Sequence, residues 1–148
     1  MNLYGTQTYK IDDKGRLAVP ASMRRAARGR KGAPSFMLVM GFEGCLALYA
    51  PEQWARVEER LRRIPIGDRK GRAFVRAFLM DATPVTVDAQ GRITIPPALL
   101  RRADLGKEAV LHGLGSRIEI WNPERLGAEL SQFEGQFESL AADVVGED

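Results

Sequence analysis

One cysteine and one histidine are the only thiol and imidazole that the 148 residues supply. Cys45 alone excludes an internal disulfide and a multi-cysteine metal site, and His112 alone leaves a catalytic triad or a histidine metal centre too little to work with. Both fall in stretches that read as β-strand, where a packed structural role is the ordinary one. No metal and no cofactor is expected. No apolar run approaches the roughly eighteen residues that cross a bilayer, and the first residues lack a basic region followed by an apolar core, so the expectation is a cytoplasmic protein without membrane contact. No serine or cysteine stands in a pattern with a base, no glycine-rich phosphate loop occurs, and Asp12-Asp13 on a turn make no pocket. The sequence therefore does not read as an enzyme, and no small-molecule substrate is expected.

Two further absences are local. From Lys14 to Phe42 there is no acid, while Lys14, Arg16, Arg24, Arg25, Arg28, Arg30 and Lys31 are basic. After Arg125 there is no base: residues 126–148 hold six acids, whereas all 22 Lys and Arg precede them against 13 acids. The formal net charge of +3 thus hides a basic body and an acidic tail. Such a body suits an anionic partner, and the tail projects away from that partner or screens the site when it is empty.

What the chain does contain is a repeat. Residues 12–27 read DDKGRLAVPASMRRAA and residues 88–103 read DAQGRITIPPALLRRA, so Asp12, Gly15, Arg16 and Pro20 recur as Asp88, Gly91, Arg92 and Pro96, 76 positions on. In each copy an acid ends one strand, a glycine permits a tight turn, an arginine opens the next strand, and a proline closes it. GFEGCLALYAPE (41–52) later matches GLGSRIEIWNPE (113–124) at an offset of 72, which reads as four extra residues in the first copy's loop. A register that shifts only in a loop marks a duplicated unit.

Along the chain, TQTYKID (6–12) and Arg16 to Val19 form a β-hairpin with Tyr9, Ile11, Leu17 and Val19 on its buried face. Ala21 to Arg28 is a short helix with Met23 and Ala27 inward and Arg24, Arg25 and Arg28 mostly outward. Phe36 to Met40 and Cys45 to Tyr49 are strands, the first covered on both faces. The second copy repeats the plan with Val85, Val87, Ile93 and Ile95, and with Pro97 opening its helix. Between the copies Pro51 to Ile64 is a helix, Pro65-Ile66-Gly67 breaks it, and Asp68 caps a second. Glu52-Arg56, Glu58-Arg62 and Glu59-Arg63 have the spacing of helical ion pairs, so the charges there read as a solvated face. Asn122 and Pro123 start a last helix, and beyond about Leu140 the tail frays. The division is 5–52 first repeat, 53–80 helical connection, 81–124 second repeat, and 125–148 C-terminal helix with acidic tail.

The hairpins IDDKGRLAVP and VDAQGRITIP, with FVRAF (74–78) and IEIW (118–121) in their places, resemble the SpoVT-AbrB superfamily and, within it, the MraZ family, over nearly the whole chain. The resemblance implies an α+β fold in which two β-hairpin repeats interleave into a swapped-hairpin barrel with flanking helices. It also implies a bacterial transcriptional regulator that assembles into rings, as a homo-oligomer, on short promoter repeats of the division and cell-wall gene cluster, a nucleoid-associated role. Repression is the more natural sign for a ring that covers its own promoter.

The family's Asp-x-x-x-Arg pattern falls on Asp12 with Arg16 and on Asp88 with Arg92. An internal pseudo-twofold sets Arg16 and Arg92 on matched positions facing one side, as suits two phosphates or two base edges of double-stranded DNA. The expected DNA contacts are Lys14, Arg16, Gln90 and Arg92, with Arg24 and Arg25 from the helix. Asp12, Gly15, Asp88 and Gly91 brace the turns, because a carboxylate aimed at phosphate would repel it. Lys14 offers a charge where Gln90 offers a neutral amide, so with the basic run that follows it the first copy is expected to bind more strongly. Competing with this are a solvated hairpin whose arginines only pair with their own aspartates, and an antitoxin-like interaction module whose acidic tail wraps a partner.

Overall fold

The duplication in the sequence becomes a two-fold exchange of strands in space. A computed structural model describes residues 3–28 and 33–146; Arg30 and Lys31, expected in a basic loop, lie outside them. In order, the first repeat forms β1 (Leu3–Lys10), β2 (Arg16–Ala18), α1 (Ala21–Arg24) running into a 3₁₀ turn over Arg25–Ala27, β3 (Ser35–Met40) and β4 (Leu46–Tyr49). Two helices follow, α2 (Pro51–Arg62) and α3 (Arg69–Met80). The second repeat gives β5 (Thr83–Thr86), β6 (Arg92–Thr94), α4 (Pro97–Arg102), β7 (Glu108–Gly115) and β8 (Ile118–Trp121). Helices α5 (Pro123–Ser131) and α6 (Phe137–Val144) close the chain.

All pairings are antiparallel, in a six-stranded sheet ordered β1-β7-β8-β4-β3-β5 and a two-stranded sheet of β2 with β6. The hairpins expected over residues 6–19 and, in the second copy, through Val85, Val87, Ile93 and Ile95 are therefore local only at their turns. β1 leaves β2 after the Ile11–Leu17 bridge and pairs with β7 of the other repeat, as β5 pairs with β3. The two-fold can be read from the registers. Leu17 faces its own equivalent Ile93, and Ala47 faces its equivalent Glu119. An axis through those pairs exchanges the halves of the chain.

The registers also correct the loop arithmetic. Leu38 pairs with Leu48 as Leu111 pairs with Ile120, and Leu38 pairs with Thr83 as Leu111 pairs with Gln7. Leu38 and Leu111 are thus equivalent at an offset of 73, while Leu48 and Ile120 stand at 72. Three of the extra residues precede β3 and the fourth sits in the β3–β4 turn.

The core lies between the sheets. Leu17, Val19, Leu38, Leu46, Leu48, Ile93, Ile95, Leu111, Ile118 and Ile120 are fully buried, as the period-2 pattern of the strands requires. Phe36, Leu38 and Val39 are buried but Met37 and Met40 only partly, so β3 is less completely covered than its apolar run suggests. Asp68 caps α3 by accepting from the Lys70 amide, and Asn122 caps α5 by accepting from the Glu124 and Arg125 amides. A column of rings, Tyr49 to Trp54 at 5.7 Å, Trp54 to Phe78 at 6.1 Å and Phe78 to Phe74 at 5.6 Å, ties α2 and α3 to the sheet.

Three local expectations need correction. The segment after Ala21 is one helical turn and a 3₁₀ turn, with Arg28 already extended. The tail does not fray at Leu140, because α6 runs to Val144 after the chain breaks at left-handed Gly135. Arg62 pairs with Glu59 rather than with Glu58, at 3.0 Å, beside Arg63–Glu59 and Arg56–Glu52. No helix among the described residues is long and apolar enough to cross a membrane.

Candidate nucleic-acid interface

Each turn is built by its aspartate. The Asp12 carbonyl accepts from the Gly15 amide at 3.0 Å, one carboxylate oxygen accepts from the Lys14 and Arg16 amides at 3.0 and 2.8 Å, and the other accepts from Arg16 Nε at 2.5 Å. Asp88 repeats this with the Gly91, Gln90 and Arg92 amides at 2.9 Å each and with Arg92 Nε at 3.1 Å. Both carboxyls are held below the usual aspartate value, chiefly by the backbone N–H of the arginine four residues on. Gly15 and Gly91 sit at φ +78° and +79°, the left-handed position that ends a three-residue hairpin loop.

The two turns form one assembly. The Val19 amide donates to the Gly91 carbonyl and, symmetrically, the Ile95 amide donates to the Gly15 carbonyl, both at 2.9 Å. Arg92 Nη1 lies 3.9 Å from the Asp12 carboxylate that already holds Arg16. Arg16 stands opposite Thr94 and Arg92 opposite Ala18, so the two guanidinium groups lie diagonally across the β2–β6 ribbon on one face, the face opposite Leu17 and Ile93. Their side chains are 33% and 28% exposed: accessible, yet held by more than solvent. The arginines do pair with their own aspartates, as the solvated-hairpin reading requires. However, each aspartate binds through Nε, which leaves the terminal nitrogens of Arg16 without a hydrogen-bond partner among the described residues. Arg92 donates a further bond from Nη2 to the Gln90 side-chain oxygen. Lys14 is exposed and has no ion-pair partner among the described residues.

The strand exchange redistributes the charge. Arg24, Arg25 and Arg28 follow the first hairpin in sequence but line a cleft of about 630 Å³ with Asp88, Gln90 and Gly91 of the second. The basic run therefore supports the turn that lacks a lysine, not the turn that has one. Arg24 is half-buried rather than outward. It donates from Nη1 to the Val19 carbonyl at 2.7 Å and packs on Gly91 so closely that a Cβ there would lie 2.4 Å from that nitrogen. Its equivalent in the second repeat is Leu100, which packs in the same manner on Gly15. The bracing role of Arg24 was hidden because a residue beside Arg25 and Arg28 reads as one more exposed base. The aligned position 100, a leucine, carried the signal that this site faces inward.

The remaining singular residues are structural. Cys45 is buried, and burial pushes its thiol up to about 12. Thr6 and the His112 ring share a hydrogen bond of 2.7 Å that joins β1 to β7.

Comparison with known proteins agrees with the duplicated plan. The family described as "MraZ protein, putative antitoxin-like" matches twice, at residues 3–77 and 78–145. The chain is 40% identical over 141 residues to a protein of Desulforamulus reducens named "Transcriptional regulator MraZ", covering 95% of this chain and 96% of that one. Proteins of the same name from Limosilactobacillus reuteri (39% identity, 96% of each chain) and Thermomicrobium roseum (40%, 93% of each) are similar along the same length.

Proposed function

The chain belongs to the MraZ family, and from that premise we propose that it is a transcriptional regulator that binds double-stranded promoter DNA through its paired hairpin turns. The observation that carries the reading is the convergence of Arg16 and Arg92 about the internal two-fold, each guanidinium aimed by an aspartate that is itself anchored to the turn backbone. At Arg16 a carboxylate on Nε leaves the terminal nitrogens to reach a phosphate or a guanine edge in a fixed direction, whereas at Arg92 the Gln90 side chain already takes Nη2. Lys14 beside the first turn, and Arg24, Arg25 and Arg28 beside the second, supply positive charge for the flanking phosphates. Gln90, bonded to Arg92, acts at the second site as an orienting group and offers its amide to a base edge.

We read the two sheets as one closed barrel, in which β1 meets β2 at the Ile11–Leu17 bridge and β5 meets β6 through the bond from the Asp88 amide to the Arg92 carbonyl. Closure holds each turn rigidly against the strand of the other repeat, through the bonds from the Val19 amide to the Gly91 carbonyl and from the Ile95 amide to the Gly15 carbonyl. The further proposal is that several copies form a ring on short tandem repeats upstream of the division and cell-wall gene cluster in the cytoplasm, acting as a repressor. One protomer offers only two arginines at its tip, so useful affinity comes from multiplying weak contacts.

The test is a mobility-shift titration of the full chain against the gene's own upstream region and a shuffled duplex of the same length, at several salt concentrations. Preferential binding of the upstream region, weakening steeply with salt, is expected. No binding to either duplex would overturn the reading, and equal binding to both would remove its sequence specificity. A toxin-wrapping role is less well supported, because the tail is drawn into helices α5 and α6 rather than left as a free arm.

A further inference from the structure

Four helices, α2, α3, α5 and α6, are amphipathic, yet not one residue of any of them is buried. Together with the short segments that flank them, they carry most of the large hydrophobic groups exposed among the described residues. Phe74, Leu79 and Met80 belong to α3, Ile66 to the turn before it, and Leu130, Phe133, Phe137 and Val144 to the C-terminal part of the chain. The barrel covers its own interior completely, so this layer is apolar for a reason other than the protomer's core.

The exposed surface falls into two unlike parts. Between α2 and α3 lies a cleft of about 550 Å³, lined by Leu61, Ile64 and Val75 and by the arginines Arg62, Arg72 and Arg76. Residues 51–80 as a whole carry eight bases against four acids. The C-terminal segment is the complement. Residues 126–146 carry Glu129, Glu134, Glu138 and Asp143 with no base, and α6 leaves Phe137 83% and Val144 82% exposed, seven residues apart on one helical face.

We propose that the apolar cleft of α2 and α3 receives the acidic C-terminal helix segment of a second copy of this chain, Phe137 and Val144 entering the cleft while Glu134, Glu138 and Asp143 meet its arginines. The contact joins two different surfaces, so each copy gives one and takes one. Repetition of such a head-to-tail contact closes into a ring when the rotation permits. The proposal rests on the oligomeric part of the reading above and supplies its interface. The same contact removes the acidic tail from the DNA face, since the tail's charge is spent on a neighbour.

The experiment is sedimentation velocity on the full chain and its variants, with circular dichroism to verify folding. Wild type should sediment as an oligomer. Val75→Glu in the cleft and Phe137→Glu in the tail should each give loss of that oligomer to a species near the 16.4 kDa of one chain. Arg76→Glu, exposed and outside any core, should weaken the oligomer without touching the fold. Mixing Val75→Glu with Phe137→Glu should give a dimer and nothing larger, because one intact cleft then meets one intact tail. If wild type is an oligomer and the variants remain the same oligomer, the interface lies elsewhere and this proposal falls alone. If wild type is a monomer at all concentrations, the oligomeric reading falls and takes the interface with it.

Discussion

Replacing Gly91 by alanine should destabilise the protein by an amount that depends on whether Arg24 is present. Gly91 sits at φ +79°, where an alanine costs about 1–2 kcal/mol on backbone grounds. The new Cβ would also lie 2.4 Å from Arg24 Nη1, forcing that side chain off the turn and away from the Val19 carbonyl, a hydrogen bond contributing about 1 kcal/mol. Gly91→Ala should therefore cost about 2–3 kcal/mol in the wild type but only the backbone part in Arg24→Ala. The coupling of about 1 kcal/mol is measurable from urea midpoints in a double-mutant cycle. Gly15→Ala provides the control. Its Cβ would meet the Ile95 backbone carbonyl at 2.9 Å, far from Arg24, and its cost should be the same in either background. Equal losses for Gly91→Ala with and without Arg24 would refute the cross-repeat brace.

Other consequences follow from the same structure. Leu17→Ala, at the fully buried pair with Ile93 on the two-fold, should lower stability by about 2–5 kcal/mol in chemical denaturation; a loss under about 1 kcal/mol would mean that the β2–β6 contact does not organise the core. Cys45, with its thiol pushed up to about 12, should resist iodoacetamide at pH 8 in the native protein and react on unfolding, so rapid native labelling would contradict its burial. Asp12 and Asp88 have lowered pKa values, so their contribution is complete above the ordinary 3.8 and is lost only as the pH falls through a value below it. The amide resonances of Arg16 and Arg92 should hold steady through pH 5 and titrate with midpoints below 3.8. A midpoint at or above that value would remove the carboxylate bonds as the source of turn order.

Much of the molecule is legible in its sequence because it is local. An acid, a glycine and an arginine at fixed spacing specify a turn whatever lies around it, and the turns, the caps at Asp68 and Asn122 and the alternating core of Leu17, Val19, Ile93 and Ile95 stand where the sequence puts them. The exchange of strands is not visible in composition or period, since β1 could satisfy its alternating pattern against β2 as well as against β7; family resemblance alone suggests interleaving. That exchange misdirects a charge reading made along the chain, because a base adjacent in sequence to one hairpin is adjacent in space to the other. Arg24 shows the cost of ignoring it. The helix α6 escapes the sequence for a different reason: its apolar face has no partner within the chain, so nothing in the protomer's own pattern demands order there.

The most direct test of the central claim is DNA affinity in the double variant Arg16→Ala with Arg92→Ala, measured by anisotropy on the gene's upstream region across a salt series. The account predicts that each single variant weakens binding and that the double abolishes specific binding with fold and sedimentation unchanged. Where residual binding can be followed, the log-log salt slope should be shallower by about 0.9 for each phosphate that a protomer no longer neutralises. Wild-type affinity and slope in a folded double variant would show that the paired guanidinium groups are not the DNA site.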